Sequence, residues 1–268
     1  MEENAIFYYK NELLKLTDAD YFARPELNFS KFKNFIVSGK NYEAKLEEEE
    51  KVTDSLLFGS VCHANLLDQD ELKKYKSIPQ LDRRTKAGKE EYEKYTKEAE
   101  EKGLTLVDET IYNQATTINL TPVVTNLLNL EGNVTERTVL WDYKSLNCKS
   151  KIDIYNEEQG ILIDVKTTRD LPSFEKTINQ SRYYLQLAFY QLALEACNKP
   201  VYSWKIIAIE NQAPFDNTVF NFSKDYIEFA ISHLKAKLDL FIFEKEISGF
   251  KGLSEEQEVN VSLPTYLF

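Results

Sequence analysis

The stretch Lys149–Thr168, KSKIDIYNEEQGILIDVKTT, decides the fold. It reads as two strands, Lys149–Tyr155 and Gly160–Lys166, joined by a polar turn over Asn156–Gly160. The second strand is dense in Ile, Leu and Val, so its two charges, Asp164 and Lys166, need a reason. Residues two apart on a strand share a face, which sets Asp164 beside Lys166. If the hairpin pairs Tyr155 with Leu162, Asp153 falls opposite Asp164. Opposed side chains lie about 4.5–5.5 Å apart at Cβ, and two like charges there destabilise a sheet. A hard divalent cation, which takes oxygen ligands at about 2.0–2.6 Å, turns that penalty into a site. The alternative is a solvent-facing Asp153 and a same-face Asp164–Lys166 ion pair on an edge strand. The apolar residues on either side favour burial, where a charge must be paired or bind metal.

Working outward, Thr135–Trp141 alternates as a further strand, giving a three-strand antiparallel meander with the hairpin. A helix is expected from about Gln180 to Cys197, with Arg182, Gln186 and Tyr190 spaced by four along one stripe. That stripe is either surface or part of a site. Val201–Ile209 and Thr218–Phe222 read as strands, and Tyr226–Phe243 as a long amphipathic helix. Upstream the chain reads as helical. Ala5–Leu16 has Ile6, Tyr9, Leu13 and Leu16 in helical spacing. Phe29–Ser38 follows an Asn28 or Ser30 cap and stops at Gly39. Thr53 or Asp54 caps a helix running to about Leu67. His63 lies inside that helix, one turn after Gly59 and Ser60, whose small size lets a backbone or ligand approach. His63 is either a satisfied core group or a ligand. Gln80–Gly103 reads as an exposed loop and a charged helix, and Asp108–Leu130 as helical with a break near Pro122. The fold class is therefore α/β, a central mixed sheet with helices packed on it and a helical N-terminal part.

The 268 residues are 43% hydrophobic and 29% charged, with eight Gly, seven Pro and no low-complexity run, as expected for one large domain. No apolar run is long enough to span a membrane, and the N-terminus does not read as a leader. Three scattered cysteines, Cys62, Cys148 and Cys197, are too few for a four-thiolate iron–sulfur cluster within one chain and suit a reducing compartment. A net charge of −11 is unusual for a nucleic-acid enzyme. Local basic clusters, Lys73–Lys76 and Arg83–Lys89 among them, offset the acidic runs, so charge neither supports nor excludes DNA. Neither a phosphate-cradling glycine loop nor a Ser/His/Asp nucleophile pattern is present.

Several stretches in order resemble the PD-(D/E)XK nuclease superfamily, and within it the RecE-type exonuclease VIII branch. They are LLFGSVCHANLLD around His63, DRRTKAGKEEY at 82–92, ERTVLWD from Glu136, KSKID ending at Asp153, IDVKTT at 163–168, and QLAFY from Gln186 to Tyr190. The resemblance implies a restriction-endonuclease-like core in one domain, 1–268. Residues 1–130 would be mainly helical, 131–225 would form the catalytic α/β core, and 226–268 a C-terminal helix and tail. It implies a Mg²⁺-dependent, ATP-independent exonuclease that degrades one strand of linear double-stranded DNA from the 5′ end. The 3′ tails left behind would feed recombination with a single-strand annealing protein, in the cytoplasm of a bacterial or phage-infected cell. His63, Asp153 and Asp164 would be metal ligands together with the Val165 carbonyl, and Lys166 the catalytic lysine. Gln186 and Tyr190 would sit on the helix beside the site, Glu136 behind the ligands, and Arg83, Arg84 and Arg182 on phosphates. A histidine ligand makes Mn²⁺ an expected substitute. The pattern departs from the family in having Ile152 where Pro is usual and Asp164 where Glu is common. The chain would be little more than the nuclease module, lacking the long N-terminal region of some relatives. Ring-forming relatives imply a homo-oligomer enclosing DNA, with Phe229, Phe241, Phe243 and the tail Tyr266–Phe268 as candidate contact surface. A nuclease of the same fold acting on single strands in repair or defence, or a catalytically silent DNA-binding protein, are the alternatives.

Overall fold

The computed structural model describes residues 11–46, 48 and 52–252. In chain order the helices and strands are α1 (Asp18–Ala23), α2 (Phe29–Val37), α3 (Gly39–Leu46), α4 (Asp54–Leu67), α5 (Gln69–Leu72), β1 (Tyr75–Ile78), α6 (Lys86–Lys102), β2 (Thr105–Asp108), α7 (Glu109–Thr116) and α8 (Pro122–Leu128). The core follows as β3 (Asn133–Tyr143), β4 (Leu146–Asn156), β5 (Ile161–Thr168), α9 (Phe174–Gln180), α10 (Tyr183–Ala196), β6 (Ser203–Glu210), β7 (Asn217–Phe222) and α11 (Lys224–Phe243). A single π turn over Glu244–Ser248 ends it. Among the described residues, no helix is long and apolar enough to cross a membrane.

The sheet order is β3-β4-β5-β6-β7, antiparallel except for the parallel β5–β6 pair. Two apolar clusters cover its faces. One gathers Phe32 and Phe35 of α2, Leu185 and Phe189 of α10, Leu234 and Phe241 of α11, and Trp141. The other gathers Phe58 and Val61 of α4, Ala115 of α7, Val124 of α8, Ile163 and Ile207. Helices thus lie on both faces of a mixed sheet, as the alternation predicts. Cys62 belongs to the second cluster, Cys148 and Cys197 to the first.

The hairpin register is the expected one, with Tyr155 opposite Leu162, but the β4–β5 ladder ends at Ile154 and Ile163. Below that point the strands part, and Leu27 bridges Cys148 on the side β5 has left. The fork is where the site forms.

Four expectations are corrected. The Ala5–Leu16 helix lies partly outside the described residues; from Asn11 the backbone is not helical. Leu14 instead bridges Thr138, so two backbone hydrogen bonds to the edge of β3 outweigh the helical spacing. Gly39 does not stop a helix but begins α3. A Cβ there would meet Glu244 Oε2 and the Lys251 backbone nitrogen 2.6 Å away, so close packing of the C-terminal turn demands glycine. The 180–197 helix is two helices broken at Ser181–Arg182, with Arg182 left-handed at φ 59°. Arg182 therefore does not continue the stripe of Gln186 and Tyr190. Last, β1 and β2 form a small parallel pair in a part of the chain expected to be mainly helical, where no strand was expected.

Of the C-terminal phenylalanines, Phe241 is buried while Phe229 and Phe243 are exposed. Tyr266–Phe268 lie outside the described residues.

Candidate active site

Three strands each bring one carboxylate to the fork. Asp164 on β5 is 1% exposed, on the third strand of five, so the solvent-facing edge reading does not hold. Lys166, two residues on, places Nζ 2.6 Å from Asp164 Oδ2. Asp153 on β4 lies in the gap, and its Oδ2 accepts the Val165 backbone N–H at 2.7 Å. Glu136 on β3 stands opposite Asp153.

The Glu136–Asp153 position is the one omitted pair in an otherwise continuous β3–β4 ladder. Glu136 has φ +52°, a left-handed backbone that costs a residue with a Cβ about 1–2 kcal/mol. Strand alternation breaks at the same place: Ile152 and Tyr155 join one core cluster, Ile154 the other. The irregularity turns Glu136 and Asp153 together toward α4.

From α4 comes His63. Thr53 caps the helix by accepting the Leu56 N–H, and Gly59 lets its backbone approach β5, where a Cβ would sit 3.1 Å from Thr167 Oγ1. His63 Nε2 lies 3.0 Å from Asp153 Oδ2 and Nδ1 lies 3.1 Å from Glu136 Oε1. Its side chain keeps 31% of its surface exposed, so it faces an opening and is not a packed core group. That opening is a cleft of about 320 Å³ lined by His63, Glu136, Lys151, Val165, Lys166 and Tyr183 among others.

Burial is the largest influence on every one of these groups, and their neighbours decide which form prevails. Burial alone would raise Asp153; His63, Lys166 and the Val165 N–H outweigh it and hold the carboxyl at about 2. Burial pushes Asp164 up to about 6, Asp153 adding to it and Lys166 pulling against it. Burial also raises Glu136. For His63 burial favours the neutral ring, but the adjoining Asp153 and Glu136 raise its pKa. Two adjacent carboxyls driven apart in this way are a mark of functional sites.

The donors fit a divalent cation. His63, Glu136 and Asp153 offer ligand atoms all within 4.8 Å of one another. Asp164 Oδ1 is buried without a hydrogen bond, and the two buried Glu136 oxygens lie against His63 and Lys151. Buried carboxylate oxygens are costly unless something positive satisfies them. Glu136 thus stands among the candidate ligands, closer to His63 and Asp153 than the sequence reading placed it.

Other predicted residues are placed differently. Gln186 donates to the Tyr190 hydroxyl at 2.7 Å, so the two engage each other on α10. Burial, reinforced by the charges of Asp164 and Asp153, raises the Tyr190 pKa, which puts this helix within electrostatic reach of the fork. Arg83 stacks 4.6 Å from the Tyr92 ring on an exposed loop and Arg84 is exposed beside it; neither lines the cleft. Arg182 is felt by His233 on α11.

Sequence reading missed Asp18 and Lys151, which form an ion pair in the cleft wall, with Lys151 also paired to Glu136. The alternation Lys149–Lys151–Asp153 on one face of β4 was the available signal.

The comparisons bear on the fold and the family. No curated protein matches the sequence. The crystal structure of a candidate exonuclease from Eubacterium rectale superposes with a TM-score of 0.62 over 94% of this chain and 97% of its own, at 14% identity. A phage-related exonuclease from Haemophilus somnus 129PT reaches 14% identity over 85% of this chain and 100% of its own, with a TM-score of 0.29 that bears no weight. Residues 28–247 match the family described as a PDDEXK-like domain of unknown function, DUF3799, and the chain belongs to that family.

Proposed function

We propose that this protein is a divalent-metal-dependent DNA exonuclease, acting without ATP on linear double-stranded DNA from the 5′ end and leaving 3′ single-stranded tails. The observation that carries the reading is the convergence of His63 and Asp153, 3.0 Å apart, with the Asp164–Lys166 pair of the next strand. His63, Asp153, Asp164 and the Val165 carbonyl would hold Mg²⁺ or Mn²⁺, with Glu136 in reach. Bound there, the cation would polarise the scissile phosphate and lower the pKa of a water. The chain's own residues do the remaining work. Asp153 stays ionised because the Val165 N–H and its cationic neighbours fix it in that form. Lys166 offers an ammonium to the charge that grows on the phosphate and orients the attacking water. Arg83, Arg84 and Arg182 are proposed phosphate contacts, with Gln186 and Tyr190 supporting the strand from α10.

A net charge of −11 gives little non-specific attraction to DNA, so processive digestion needs enclosure. Exposed Phe229 and Phe243 support a homo-oligomer that surrounds its substrate, and the tails suit an annealing protein as partner. The test is digestion of linear and circular duplex, each strand end-labelled, with Mg²⁺ or Mn²⁺ and no ATP. Loss of label from 5′ ends of linear DNA, with circles spared, is the expected result. Nicking of circles would overturn the exonuclease reading, and cleavage confined to single strands would overturn the duplex substrate.

A further inference from the structure

Lys166 has a second neighbour besides Asp164. Its Nζ lies 5.3 Å from the centroid of the Tyr183 ring, and Tyr183 lines the same cleft. The ring is held in place from behind, its centroid 6.0 Å from that of fully buried Phe174. The backbone is bent to put it there: the break between α9 and α10 makes Tyr183 the first residue of α10. The residue before it, Arg182, bears a left-handed φ of 59° that favours glycine.

A lysine held only by a buried carboxylate 2.6 Å away is committed to that carboxylate. Once a cation draws on Asp164, the ammonium loses part of its pairing and needs another anchor to stay over the cleft. An aromatic face offers one without competing for the proton or ligating metal. We infer that Tyr183 is the positioning residue for Lys166, its ring face holding the ammonium toward the bound phosphate. The inference rests on the nuclease reading of this cleft, and its effect on rate passes through Lys166.

Three full-length variants test it: Tyr183→Phe, Tyr183→Trp and Tyr183→Leu. Phe and Trp, which keep a ring, should hold kcat on end-labelled linear duplex within about twofold of wild type. Leu should lower kcat about tenfold, the range of a partly desolvated cation–π contact. KM and Mn²⁺ affinity by calorimetry should not move. Independently of activity, the Lys166 ε-CH₂ resonance, assigned with Lys166→Met, should be shifted upfield by the ring in wild type and Tyr183→Phe and lose that shift in Tyr183→Leu. An equal loss in Phe and Leu, a rise in KM with kcat intact, or an unshifted Lys166 signal in wild type would overturn the inference. A wild type that cuts no DNA while showing the ring shift would sink the nuclease reading and leave the contact standing.

Discussion

Glu136 and Asp153 face each other as the single omitted pair of the β3–β4 ladder, and Glu136 reaches that place with φ +52°. A regular pair here would donate and accept across the strands and leave both carboxylates on a flat sheet. The strained turn aims them at His63 instead, so backbone energy is spent on the site.

That strain is measurable apart from the charge. Glu136→Ala and Glu136→Gly both remove the carboxylate, but only glycine adopts a left-handed backbone freely. Glu136→Gly is expected to be more stable than Glu136→Ala by about 1 kcal/mol in urea unfolding. Equal stability, or a more stable alanine variant, would show that the backbone there is unstrained.

His63 separates two carboxylates in the metal-free protein and would share the cation with Asp153 when metal binds. Mn²⁺ at about 100 times its Kd should stabilise the wild type by about 2.7 kcal/mol. His63→Ala should lose most of that gain at the same concentration. The metal-free variant should also be less stable by about 1–3 kcal/mol, since Asp153 and Glu136 then face each other without a cation between them. A variant that keeps the full Mn²⁺ gain would remove His63 from the ligand set.

Lys149 fastens α1 over the cleft. It is 1% exposed, donates to the Tyr21 and Arg24 carbonyls at 2.6 Å each, and lies 4.6 Å from the Tyr21 ring. Lys149→Met keeps the bulk and removes the donor, leaving the Tyr21 carbonyl with the Arg24 N–H at 3.4 Å and the Arg24 carbonyl unsatisfied, at a cost of about 1–3 kcal/mol if it stays dry. Hydrogen exchange should quicken in the α1 amides and at Arg24, which caps the helix C-terminus. Unchanged exchange there would mean α1 is held by something else.

Burial pushes the Tyr155 hydroxyl up to about 12 while it donates to the Pro200 carbonyl at 2.8 Å. The folded pKa lies above the unfolded value near 10. The stabilisation is therefore complete below pH ~10 and lost as pH rises toward 12. Tyr155→Phe should be less stable than wild type by about 1 kcal/mol at pH 7. That gap should close near pH 11, where only the wild type carries the titration. Parallel denaturation curves at the two pH values decide it; a gap that widens with pH would contradict the account.

The hairpin was readable because turn chemistry fixes the Tyr155–Leu162 register and a period of two puts Asp164 and Lys166 on one face, although the ladder stops one pair short of Asp153 and Asp164. The Thr53 cap and the length of α4 were readable for the same kind of local reason. What local pattern could not show is where long-range contacts win. Leu14 has helical spacing yet bridges Thr138, far along the chain. Lys151 looked like one more basic residue until Asp18, over a hundred positions earlier, closed on it. The left-handed turns at Glu136 and Arg182 are carried by residues with no intrinsic preference for them, so no composition signal marks either. The pair β1–β2 spans four residues each with mixed polar faces, too short to declare itself.

The most direct measurement is cleavage of end-labelled linear duplex by Asp164→Asn, run beside calorimetric titration with Mn²⁺ and a thermal melt. Asn keeps the shape of the side chain and removes the charge at the centre of the fork. The account predicts a cooperatively folded variant that cuts no DNA and binds Mn²⁺ at least about tenfold more weakly than wild type. A folded Asp164→Asn protein that degrades DNA at the wild-type rate would contradict it.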